Sequence, residues 1–222
     1  MSTGPTRLAM LGALGALLAC GCSPRNSLVP VASVGGECPE SSWPAPPDSA
    51  AGYAGSGASV GEHIGGWTLE DQHGCATDWT QFLGAVTVLD VSSVWCGPCN
   101  EAAATSMEVF DAIRAENKAS WMITVLVQDE FAAPATVGDA EEWTERYALE
   151  YPVVVDQGES VRGAYGVIAF PVFLFIAPTG EVYERYEGKV EDAEILELLR
   201  FGLEEWAGDL RPQDEIPDPP TD

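Results

Sequence analysis

With 222 residues, 46% of them hydrophobic, the chain is long enough to bury one sizeable core once its polar ends are set aside. Ten Lys plus Arg against 35 Asp plus Glu leave a formal net charge of -25. A field of that sign repels phosphate backbones and anionic headgroups, which excludes nucleic acid as a partner.

The chain opens on an export signal. Residues 1–22 carry one cation, Arg7, then an uncharged run over 8–19, then small residues and cysteines. That run falls short of the roughly 20 residues a membrane-spanning helix needs. Leu17-Leu18-Ala19-Cys20 resembles a bacterial lipobox, which predicts cleavage before Cys20 and a lipid on its sulfur. Cys22 is the alternative, because cleavage there leaves Cys38, Cys75, Cys96 and Cys99 as an even set. The expected location is extracytoplasmic and membrane-anchored, on the periplasmic or cell-envelope face, where disulfides persist.

Residues 23–60 are dominated by Ser, Gly, Pro and Ala without a sustained period, and read as a flexible tether. A patterned body is expected over 61–207. WTLED and Gly74 suggest a short strand and turn, and VTVLDVSS (86–93) is a β-branched run of buried-strand length. EAAATSMEVFDAIRAENK follows with helix formers and a stripe at Met107, Phe110 and Ile113. SWMITVLVQ (120–128) is a second buried strand, residues 139–149 a helix with acids at its start, YPVVVD a short strand and ESVRGAYGV a short helix. FPVFLFIAPTGEVYERYEG reads as a hairpin about Pro178-Thr179-Gly180, and VEDAEILELLRFGLEEW as a closing amphipathic helix. The order implies an α/β fold: a central mixed sheet flanked by helices on both faces. Residues 208–222, acidic and proline-rich, read as a disordered tail.

The chemistry concentrates in Cys96-Gly97-Pro98-Cys99, at the junction of strand and helix. The first N–H groups of a helix lack backbone partners and favour a thiolate at Cys96, the expected nucleophile. Pro98 suits a first turn, where its missing N–H costs nothing. Two intervening residues let Cys99 attack a mixed disulfide on Cys96 and release the substrate. A zinc clip and a structural staple are the alternatives. Zinc wants four ligands, and the chain offers no second Cys-x-x-Cys and only His63 and His73, both expected on the surface. A staple closing so small a loop removes little entropy from the unfolded chain. No metal and no cofactor beyond the Cys96–Cys99 disulfide is expected. Cys38 in the tether and Cys75 in the first turn would pin the linker if paired; free thiols or partners in other molecules are the alternatives.

Trp95-Cys96-Gly97-Pro98-Cys99 after a Val-rich strand resembles the active site of the thioredoxin superfamily. Further residues carry the resemblance: Asp90 six places ahead of Cys96, Phe170-Pro171 before an apolar strand, and Gly188 after the hairpin. The resemblance implies a thioredoxin-like fold in which Asp90 exchanges a proton with Cys99 and Pro171 is cis beside the disulfide. It also implies a substrate groove bordered by Trp95, Gly97, Pro98, Phe170, Pro171 and Gly188. GEHIGGWTLEDQHG and an insertion over about 130–163 are similar to the extra N-terminal strand region and central insertion of the TlpA/ResA branch. That branch implies a membrane-tethered thiol-disulfide oxidoreductase, generally a reductant, with a disulfide-bearing protein substrate as in cytochrome c biogenesis and a membrane electron donor. Two departures stand out: Phe170 and Val172 flank the proline where relatives have smaller residues and Thr, and Asn100-Glu101 follows the motif where a cation is common. A thiol peroxidase or a copper chaperone on the same fold is the alternative. SSVWCGPC lacks the upstream proline of the first and has one residue fewer between its cysteines than the second.

Overall fold

The computed structural model describes Met1 and residues 43–219. The leader, both lipidation candidates Cys20 and Cys22, and Cys38 lie outside the described residues. Cys75 is disulfide-bonded, but the Cys38–Cys75 pairing itself also falls outside them.

Seven strands form one mixed sheet in the order β2-β1-β5-β4-β3-β6-β7. Its centre is β3 (Val86–Ser93) and β4 (Ser120–Gln128), parallel to each other and buried along almost their whole length. Such strands carry apolar side chains on both faces, which is why their sequences read as continuous runs rather than alternations. β5 (Val153–Val155) extends the parallel part beside β4, whereas β6 (Val172–Ile176) and β7 (Val182–Glu187) form an antiparallel hairpin on the other side. β1 (Thr68–Asp71) runs antiparallel beside β5 and pairs outward with β2 (Ala76–Asp78). The inserted strand therefore lies between the core sheet and the N-terminal strands.

Four helices accompany the sheet: α1 (Gly97–Glu116), α2 (Val137–Tyr147), α3 (Ser160–Ala164) and α4 (Asp192–Glu205). α1 buries Cys99, Ala102, Ala103, Ser106, Val109, Phe110 and Ile113, a stripe at helical spacing. Of the expected stripe, Phe110 and Ile113 are buried and Met107 only partly so. α2 starts two residues earlier than the sequence suggested, at a reciprocal cap in which Thr136 and Asp139 satisfy each other's backbone N–H.

Two boundaries are corrected. The sequence reading began the body at residue 61, but the last part of the expected tether is packed. Trp43 is buried and donates from Nε1 to Asp71 Oδ2 at 2.7 Å, and Tyr53 donates to the Ile64 carbonyl at 2.8 Å. Asp71, itself buried, also accepts from the N–H groups of His73 and Cys75, both at 2.9 Å, so one carboxylate shapes the β1–β2 turn and holds the incoming chain. Residues 208–219, read as disordered, also lie on the body. The Arg211 N–H donates to the Gly84 carbonyl at 2.7 Å, and its guanidinium reaches the carbonyls of Ala45 and Leu83, both at 3.1 Å. Ile216 is buried, and Arg114 donates to the Pro217 carbonyl at 3.0 Å. Composition misses both segments because a few long-range anchors, not a periodic apolar face, hold them.

Candidate active site

β3 delivers the chain to the start of α1, where Cys96 is the N-cap and Pro98 lies in the first turn. The Cys99 N–H donates to Cys96 Sγ at 3.2 Å, so the sulfur occupies the place a capping oxygen normally takes. That donor and the positive end of a long helix both favour negative charge on Cys96. Cys96 and Cys99 form a disulfide with their Cα atoms 5.2 Å apart. Both cysteines are buried, while Gly97 and Pro98 between them are exposed. Among the described residues no cluster of His, Cys, Asp and Glu is arranged to hold a metal ion.

Asn100 shows what replaces a cation after the motif. Its Nδ2 donates to the carbonyls of Val94 at 2.9 Å and Cys96 at 2.7 Å, and its Oδ1 accepts from Tyr147 of α2 at 2.6 Å. The side chain thus clamps the strand-to-helix turn and ties it to the insertion. Glu101, whose charge would oppose a thiolate, points outward and pairs with Lys189 at 3.6 Å.

Asp90 lies mid-strand in β3, opposite Thr124 of β4 and Phe173 of β6. Burial pushes its carboxyl up to about 7, against the opposing effect of hydrogen bonds from Ser92 and Thr124. The Ser92 hydroxyl donates to Oδ1 at 2.6 Å. Asp90 borders a small cavity with Ala102 and Ser106 of α1, Tyr151, and Asp192 and Ile195 of α4. The space open to a water centre is about 10 Å3, at the threshold for one molecule. A carboxyl of this kind can take up or return a proton near neutral pH.

The Phe170–Pro171 bond is cis. Val172 pairs with Val91, which brings Pro171 to the end of the sheet where β3 releases the cysteine loop. The Pro171 carbonyl accepts from the Gly188 N–H at 2.8 Å, and Gly188 has φ 98°, a conformation that favours glycine. Pro171 and Gly188 are therefore joined as neighbours. Trp95 is half exposed and meets Phe170 edge to face, ring centroids 6.1 Å apart. His63 and His73 are exposed, as expected.

Three residues of this region carry no motif and were not anticipated: Gln128, Glu159 and Arg162. Gln128 Oε1 accepts from Trp95 Nε1 at 3.0 Å, and Arg162 lies over the Phe170 ring at 5.5 Å. Their only signal in the sequence is their place at the end of a strand and the start of a short helix.

Residues 44–199 match the family model described as Redoxin. The chain is similar to the thiol-disulfide oxidoreductase ResA of Bacillus thuringiensis subsp. konkukian, 22% identical over 141 residues, covering 64% of this chain and 77% of that protein. It is 24% identical over 144 residues to ResA of Halalkalibacterium halodurans, covering 65% and 77% of the two chains. Among solved structures, it resembles a secreted disulfide oxidoreductase of Mycobacterium tuberculosis at a TM-score of 0.51 and 20% identity, covering 61% of this chain and 95% of that one. A secreted thiol-disulfide isomerase of Corynebacterium glutamicum gives 0.54 and 14%, covering 63% and 86%. At those identities the structural likeness speaks for the thioredoxin-like fold.

Proposed function

The chain belongs to the Redoxin family, and from that premise we propose that it is an extracytoplasmic thiol-disulfide oxidoreductase that reduces protein disulfides. The observation that carries this reading is the Cys96–Cys99 disulfide at the start of α1, with its first sulfur capped by a backbone N–H. ResA relatives, named as thiol-disulfide oxidoreductases, support the same chemistry.

In the reduced state the Cys96 thiolate attacks a substrate disulfide, forms a mixed disulfide and releases one substrate thiolate. Cys99 then loses its proton to ionised Asp90, directly or through one water, and attacks Cys96 Sγ. The Cys96–Cys99 disulfide forms and the second substrate sulfur leaves, so two electrons have passed to the substrate. An external dithiol must restore the reduced pair, and a membrane electron donor fits that need. Cis-Pro171 and the backbone beside it, with Trp95, Gly97, Pro98, Phe170 and Gly188 around it, receive the substrate strand. A lipid on Cys20, or on Cys22, would hold the protein near its donor and raise the local concentration of both. The secreted relatives agree with a location outside the cytoplasm.

A redox titration of the Cys96–Cys99 couple together with an insulin-reduction assay tests the reading. A reductase should titrate nearer about -270 mV than about -120 mV and reduce insulin catalytically. A potential above about -150 mV would reverse the direction, and a chain inert towards insulin that held Cu(I) tightly would favour a copper carrier.

A further inference from the structure

Trp95, Gln128, Glu159, Arg162 and Phe170 close a circuit of side chains at the mouth of the site. The Trp95 indole N–H donates to Gln128 Oε1 at 3.0 Å; an indole can only donate, so the amide nitrogen of Gln128 is left facing away. That nitrogen donates to Glu159 Oε1 at 3.3 Å, and Glu159 Oε2 accepts from Arg162 Nη1 at 3.1 Å. The Arg162 guanidinium lies 5.5 Å from the Phe170 ring centre, and Phe170 returns to Trp95 edge to face. Each polar group in the circuit has a complementary partner.

The supporting backbone is arranged to aim it. Asp156 is fully buried and accepts from the N–H groups of Ser160 at 2.8 Å and Arg162 at 2.9 Å. Glu159 takes a left-handed conformation, φ 51°, uncommon for a residue other than glycine. Arg162 Nε also donates to the Val167 carbonyl at 3.4 Å, in the loop that leads to Phe170. The insertion thereby touches the Phe170 ring through Arg162 and, by way of Gln128 of β4, is linked to the Trp95 ring. Two residues before Phe170, Ile168 is 85% exposed, a further apolar side chain open to a partner.

We propose that Gln128, Glu159 and Arg162 are positioning residues that fix the Trp95–Phe170 ring pair, and that the fixed pair selects substrate disulfides whose cysteine is flanked by apolar residues. The proposal rests on the oxidoreductase reading above. Rings already held when the substrate arrives lose less freedom on binding, so their contact area converts more fully into affinity. A mere stability staple would not discriminate between substrates, and this difference can be measured.

The test uses the full chain, reduced beforehand, and two synthetic peptides each closed by one intramolecular disulfide. They are identical except that the residues flanking one cysteine are Leu and Phe in the first and Ser in the second. Second-order rate constants for oxidation of the protein are measured for both, and the ratio is the readout. The parent chain should favour the apolar peptide roughly tenfold, the discrimination that a small apolar contact supplies. Arg162→Ala should bring the ratio to about threefold or less. Arg162→Lys should fall with it, since an ammonium lacks the planar face that stacks on Phe170. Glu159→Gln, nearly the same shape, guards against misfolding and should lower the ratio while the potential of the couple stays in place. A ratio unchanged in all three variants, no preference in the parent, or a loss that tracks a shifted potential would overturn the proposal and leave the oxidoreductase reading intact. A parent chain that reacts with neither peptide would remove that reading, and this one with it.

Discussion

Asp90 carries two pH effects of opposite sign. Its carboxyl ordinarily titrates at 3.8 and in the fold at about 7, raised by burial. A group whose folded value is raised contributes stability below its unfolded value and loses it as pH rises to the folded one. The window is therefore from about 4 to about 7, and the loss amounts to at most ~4 kcal/mol. Asp90→Asn, which cannot ionise, should be more stable than the parent by ~1–4 kcal/mol at pH 8, with the gain vanishing towards pH 4 in urea titrations. On the proposed mechanism catalysis moves the other way, because there only an ionised Asp90 accepts the Cys99 proton. Single-turnover reduction of a disulfide should speed up as pH rises through about 7 in the parent, and Asp90→Asn should be slower and lack that limb. Tyr151 and Asp192 share the cavity, and Tyr151 lies well above its ordinary value because of burial, so it stays protonated throughout. Cys99→Ala removes the resolving sulfur. It should accumulate mixed disulfides on Cys96, visible on non-reducing gels and identifiable by mass spectrometry.

At the scale of elements, how much the sequence reveals follows from how local each cause is. Val86–Ser93 matches its expected strand residue for residue because Val86, Thr87, Val88 and Val91 give a β-branched run of buried-strand length. Ala76–Asp78 was not anticipated, since three residues have no period and become a strand only by pairing with β1. The motif, Asp90, cis-Pro171 and Gly188 were legible because a resemblance carried them. Gln128, Glu159 and Arg162 were not, because the circuit they form depends on Gln128 meeting Trp95 33 residues before it and Glu159 31 residues after it, which no local pattern encodes. Asn100 belongs between these cases: visible as a departure, intelligible only once Tyr147 was seen to reach it. Asn100→Ala would leave the Val94 carbonyl and the Tyr147 hydroxyl without that partner and take one of two donors from the Cys96 carbonyl, which keeps the backbone N–H of residue 100. It should lower the unfolding free energy by ~1–3 kcal/mol in denaturant titrations, and Tyr147→Phe should cost less because it strands only the Asn100 oxygen.

The whole molecule is dominated by unbalanced charge, 35 acids against ten cations. Self-repulsion of that size opposes the compact state, and salt screens it. Thermal unfolding should therefore rise when NaCl is taken from 10 to 300 mM, by about 2–5 °C; a falling midpoint would show that attractive pairs dominate. Among the described residues, several of the scarce cations are placed at seams. Arg114 and Lys118 hold Asp218, and Arg200 pairs with Glu116 across α4 and α1. Arg211 is the most consequential of them, since it touches Ala45 near the start of the packed chain while standing near its end. The two boundaries of the body are thus neighbours in space, as in domains that accept circular permutation. A chain joined across Arg211 and Ala45 by a short polar linker, and opened at the exposed turn around Phe131, would move any fused reporter from the seam to a different edge of the domain.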